Sequence, residues 1–139
     1  MKLYRSSSVE VTLPESGEWV RMECLSEPEF EAFKTGLLQA LAYVKKHPVN
    51  TWLLDFRALD ALGEREETWL QVQFFPQLMM LGHEHYIAVI VSEECYHRML
   101  EEVGDYGLKS YNSFIIINTF CQLPEAEDWL RNQRLSKAG

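Results

Sequence analysis

TWLLDFR, residues 51–57, is a short, unbroken apolar run that closes on an aspartate and an arginine. A strand with one wet face alternates apolar and polar residues. An unbroken run is expected of a strand covered on both faces, as in parallel sheets flanked by helices. Two similar runs follow, YIAVIVS (86–92) and SFIIINTF (113–120). Between these runs the period changes from strand to helix, and that alternation implies crossover units and a mainly parallel sheet.

The helical stretches carry their own punctuation. In SEPEF (26–30), Ser26 with Glu29 reads as a capping box and Pro28 suits a first turn. Phe30, Phe33, Leu37, Leu41 and Val44 then mark one helix face, Lys45, Lys46 and His47 suit its negative end, and Pro48 stops it. A second helix is expected over 64–81, EREETWLQVQFFPQLMML, where Pro76 must kink or split it for want of an N–H. SEECYHRMLEEV (92–103) reads as a helix capped by Ser92 and stopped by Gly104. LPEAEDWLRNQR (123–134) opens on proline and acids, closes on arginines and turns Ala126, Trp129 and Leu130 inward.

Before all of these, VEVTL (9–13) and EWVRMEC (18–24) alternate around the turn-forming ESGE (15–18). That pattern is an antiparallel hairpin with Val20, Met22 and Cys24 on one face, and the serines at 6–8 read as polar strand or edge. The expected order is ββαβαβαβα: a single α/β domain over residues 1–139, ordered over about 3–134. Its sheet is mixed, mainly parallel and opened by the hairpin.

Composition narrows the function. The chain has 139 residues, 47% of them hydrophobic and 24% charged, as in a soluble globular domain. A net charge of −8 with no basic stripe argues against nucleic-acid binding. Cys24, Cys95 and Cys121 have no paired spacing and read as reduced thiols. No apolar run approaches the ~20 residues of a membrane span, and no leader-like segment stands at the start, so the expected location is cytoplasmic.

Candidate chemistry begins with Asp55 and Arg57. Ligands of open α/β sheets collect outside the carboxyl ends of the strands, where these residues fall. Metal binding or phosphoryl transfer there needs helper acids or a lysine, but the other strand ends offer Ser92, Asn118 and Thr119. The reading preferred here is that Asp55 satisfies loop amides and pairs with Arg57 or Arg65. In GHEHY (82–86), His83 and His85 fall on one side of a strand, a weak metal pair; solvated loop histidines are the plainer reading. There is no G-x-S-x-G turn and no Gly-rich phosphate loop. Each expected helix also starts with its own carboxylates, which occupy the potential that would draw an anion. The segment 64–81 is unusual: Trp69, Phe74, Phe75, Leu78, Met79, Met80 and Leu81 exceed what one stripe can bury. Either Pro76 turns both halves to the core, or the surplus is a dimer interface or a groove for an apolar ligand.

Several of these pieces fall in a familiar order. They are Trp52 to Arg57, then Trp69 with Phe75-Pro76 and Leu78, then Ala88 to Ser92, then Phe120 through Glu125-Ala126 to Trp129-Leu130. Over about residues 9–131 the chain resembles the SpoIIAA-like branch of the STAS superfamily (sulfate transporter and anti-sigma-factor antagonist), within the wider STAS/SEC14-like grouping. The resemblance implies helices packed mainly on one face and a cytoplasmic role in binding rather than catalysis. Asp55, Arg57, Asp60 and Arg65 would then mark the ligand or partner end of the sheet. Antagonists of this group dock onto a kinase-like partner and are switched on a serine in a D-S-[ST]-G-like loop. Here that stretch is Asp60-Ala61-Leu62-Gly63-Glu64-Arg65, with no serine or threonine. The expectation is a non-enzymatic regulatory or protein-interaction module without that switch and without a cofactor. It would form a homodimer through Trp69, Phe74, Phe75, Leu78 and Met79. The alternative is a carrier of a small apolar ligand or lipid; the third is a metal-dependent enzyme using Asp55, His83 and His85.

Overall fold

In this computed structural model, which describes residues 1–13, 19–104, 109–111 and 114–138, the apolar runs lie side by side as neighbouring parallel strands. The strands are β1 (Lys2–Arg5), β2 (Val9–Thr12), β3 (Val20–Cys24), β4 (Thr51–Asp55), β5 (His85–Ile90), β6 (Lys109–Tyr111) and β7 (Ile115–Phe120). They form one sheet in the order β1-β2-β3-β4-β5-β7-β6. Pairings β3–β4, β4–β5 and β5–β7 are parallel; β1–β2, β2–β3 and β6–β7 are antiparallel. The α/β class and the opening hairpin are as expected, while the ESGE turn lies outside the described residues.

Two strands add to the expected order, β1 and β6. Between β1 and β2 the serines form a turn rather than a strand. The Ser6 hydroxyl accepts from the backbone N–H groups of Ser8 and Val9, at 3.2 and 3.0 Å, the local bonding by which serine competes with a ladder.

Among the described residues the α-helical segments are α1 (Phe30–Val44), α2 (Glu64–Trp69), α3 (Phe75–Met79), α4 (Glu93–Val103) and α5 (Leu123–Ala138). Helix α1 starts later than the capping box implies. Its N-cap is Glu29, with no side-chain cap bond. A cap at Ser26 would need Glu27 helical, which the ring of Pro28 opposes. Ser92 does cap α4, accepting from the Cys95 N–H at 3.1 Å, and Gly104 ends it at φ 67°, in the left-handed region.

Pro76 acts as expected, and the means is a π-helical turn over Leu70–Phe74 that joins α2 to α3. Phe75 N–H bonds to the Leu70 carbonyl five residues back. This wider turn rotates the chain ahead of the proline, so Leu70, Phe74, Phe75 and Leu78 all reach the core.

Strand alternation sorts the core into two layers. Val9, Val11, Val20, Met22, Trp52, Leu54, Ile87 and Ile115 pack with α1 and the α2–α3 segment. Leu53, Tyr86, Ala88 and Ile90 point the other way, to Ala126 and Leu130 of α5. On α1, a Cβ at Gly36 would lie 3.1 Å from Val11, so the missing side chain lets the helix settle against β2. Among the described residues no helix is long and apolar enough to cross a membrane.

Candidate functional site

Asp55 ends β4 and is buried, on the same strand face as Leu53 and so toward α5. Arg57 grips it with Nε on one oxygen at 3.0 Å and an Nη on the other at 2.7 Å. The Arg57 backbone N–H adds a third bond at 3.1 Å, and Arg21 of β3 approaches to 3.4 Å. Burial works to raise the Asp55 pKa. The Arg57 hydrogen bonds and the two guanidinium charges outweigh it and hold the carboxyl below its usual range. The same pairing raises the Arg57 pKa against its own partial burial. A carboxylate so engaged is a structural anchor, with little left to offer an ion or a phosphoryl group.

The four residues expected at the ligand end do not converge. Arg65 does not reach Asp55; its guanidinium lies over the Phe30 ring, 4.0 Å from the centroid, with Lys34 over the same ring at 4.7 Å. Asp60 contributes its carbonyl, which accepts from Arg98 of α4 at 2.8 Å. Asp55 is thus a clamp between β3 and β4, and Asp60 is a tie between the β4–α2 loop and α4.

The histidine pair departs from expectation in another way. His83 and His85 are neighbours, their ring centroids 4.6 Å apart. His83 is exposed, but His85 is fully buried on β5 rather than in a solvated loop. Its Nδ1 accepts from the Trp52 indole N–H at 3.1 Å, which assigns the ring proton to Nε2. Burial, aided by His83, pushes the His85 pKa down to about 4. Among the described residues no group of three or more His, Cys, Asp or Glu side chains is placed to hold a metal ion.

The segment expected to be an interaction surface is largely core. Phe74 and Leu78 are buried, and Phe75 is 7% exposed. Trp69 and Met79 are half-buried against the same core, Trp69 edge-on to Phe33 and stacked on Phe74. The large apolar side chains that the segment leaves outside are Val72, 61% exposed, and Met80, 85% exposed. The π turn explains this: a regular helix would have sent part of the aromatic set outward.

Beside that segment lies a cleft of about 750 Å³. Its floor is the α2-facing side of the sheet near the carboxyl ends of three strands: Leu54 of β4, Val89 of β5, Ile117 and Thr119 of β7. Leu59, Ala61 and Leu62 of the β4–α2 loop close one end, Leu70 and Phe75 form one wall, and Cys95 and Met99 of α4 form the other. The deep lining is apolar apart from the Thr119 hydroxyl and the Cys95 thiol. Glu67, Arg98 and Glu102 stand at the mouth, exposed. A second depression of about 610 Å³, between Phe30 of α1 and Arg65, Trp69 and Val72, is shallower and more open. The loop residues Leu59 and Leu62 were the one local hint of the cleft, being apolar where a loop is usually polar.

Compared with known proteins, the chain matches no family model, no curated protein and no solved structure.

Proposed function

We propose that the protein is a non-enzymatic binding module of STAS type whose ligand is small and apolar and lies in the α2–α4 cleft. The observation that carries this is the cleft itself. Its volume falls within the ~300–1,000 Å³ of small-molecule sites, its depth is apolar with a few polar groups, and it stands where α/β sheets collect ligands. The clamp on Asp55 supports binding over catalysis, because the most buried carboxylate of the sheet is already spent on arginines.

The test is native mass spectrometry of gently purified protein beside a variant with a filled floor, Val89→Phe. A discrete added mass on the wild type, lost on denaturation and missing from folded Val89→Phe, is expected. Failure of the wild type to retain or take up any apolar compound would end the reading, as would equal uptake by the filled variant.

A second reading is a homodimer or protein partner covering the outer side of residues 64–81. Its support is now Val72 and Met80, because Phe74, Phe75 and Leu78 are committed to the core. A change in solution mass on Met80→Glu is the result that would favour it.

A further inference from the structure

Resting on the cleft as a ligand site, we infer that its ligand is an amphiphile with a cationic polar end, an apolar body in the cleft and an amine or ammonium at the mouth. The charges at that mouth decide between head groups. Arg98, the cation there, is tied to the loop by donating to the Asp60 carbonyl at 2.8 Å; that neutral acceptor leaves its charge in place, so against Glu67 and Glu102 the balance at the mouth is one net negative charge. Glu67 of α2 and Glu102 of α4 both line the opening as exposed carboxylates, and neither forms an ion pair with a described residue.

The surroundings act in the same direction. In an open α/β sheet the helices that leave the strand ends present free N–H groups, which favour anionic heads. Here α2 begins with Glu64, Glu66 and Glu67, and α4 with Glu93 and Glu94, so that potential is offset before a ligand arrives. The whole chain adds a net charge of −8. A carboxylate or phosphate head would meet repulsion from each of these sources, and an ammonium would meet attraction. A unit charge about 4 Å from a carboxylate in water-like surroundings changes affinity by about five-fold. With Arg98 offsetting one of the two carboxylates, the remaining charge favours a cation and disfavours an anion, a preference of about ten-fold that shrinks as salt rises.

The experiment compares dodecyltrimethylammonium, dodecanoate and dodecanol, each below its aggregation limit, for displacement of a neutral environment-sensitive dye. The proteins are wild type, Glu67→Gln/Glu102→Gln and Val89→Phe. The expected order in the wild type is ammonium first by about ten-fold over carboxylate, with the alcohol between them. In the double glutamine variant, which leaves the Arg98 charge at the mouth, the ammonium should lose its lead over the carboxylate while the alcohol is unchanged. Dodecanoate binding as well as or better than the ammonium overturns the cationic head and leaves the cleft reading standing. So does an undiminished preference in the double variant. If none of the three displaces the dye, or Val89→Phe binds all three as the wild type does, the cleft reading itself falls. Ammonium binding that survives in Val89→Phe alone would be adsorption to an acidic surface, and would likewise overturn the inference.

Discussion

Mild acid should loosen this protein, and His85→Gln should abolish the effect. The His85 ring is fully buried, with Nδ1 accepting from the Trp52 indole and Nε2–H without a partner among the described residues. A second proton has to go on Nδ1, where it would face the indole N–H instead of accepting from it. Burial and the nearby His83 therefore lower the folded-state pKa to about 4 from an ordinary value of 6.5. Between those values the unfolded chain binds more protons than the folded one, so stability is intact above pH 6.5 and is lost as the pH falls toward 4. The loss is about 2 kcal/mol by pH 5 and about 3 kcal/mol by pH 4. Glutamine keeps an acceptor for Trp52 and cannot titrate. The assay is urea unfolding followed by circular dichroism at pH 7 and pH 5, where Asp55, held below its usual pKa, stays ionised. A wild-type unfolding free energy equal at the two pH values would refute the reasoning, as would a His85→Gln slope as steep as the wild type's.

Two further outcomes test the clamp and the core. Arg57→Ala leaves the buried Asp55 with Arg21 at 3.4 Å and the residue-57 backbone N–H at 3.1 Å, and should cost about 2 kcal/mol of unfolding free energy, measured at pH 7; a cost below about 0.5 kcal/mol, the scatter of surface substitutions, would mean that water serves Asp55 as well. Phe75→Glu places a charge in the core and should unfold the protein, whereas Met80→Glu, on a side chain 85% exposed, should shift the melting temperature little. Thermal melts of the two variants decide this, and comparable melts would show that the segment turns Phe75 outward.

Where the chain could be read locally, the structure follows it. The apolar runs yield β4, β5 and β7 because continuous apolar residues need cover on both faces, and the structure supplies it from α5 and from the α1–α3 layer. Ser92 and Gly104 bound α4 because a cap and a left-handed stop depend on a few adjacent residues. The local rule failed at Ser26, where Pro28 two residues on forbids the helical start that the capping box suggests. KLYR and KSY do not read as strands because edges of three or four residues carry too little pattern to show a period.

The misplaced site residues share a different cause: their partners are distant in the chain. His85 looks solvated between glutamate and tyrosine, yet Trp52, on the neighbouring strand, brings a donor to its ring. Asp55 and Arg65 flank one loop, which suggests a pair, whereas the parallel register sets Asp55 opposite Glu23 and within reach of Arg21. The cleft draws on β4, β5, β7, α2 and α4 at once, so no window of sequence contains it. The same alternation that hides these partners also separates them in space. Leu54 faces the cleft and Asp55, one residue on, faces α5. The opening TWLLDFR run thus serves two ends: one face anchors β3 to β4 through a carboxylate and two guanidiniums, and the other lays an apolar floor. A substitution that breaks the anchor should therefore lower stability without changing which ligand the cleft prefers, and one that alters the mouth should do the reverse.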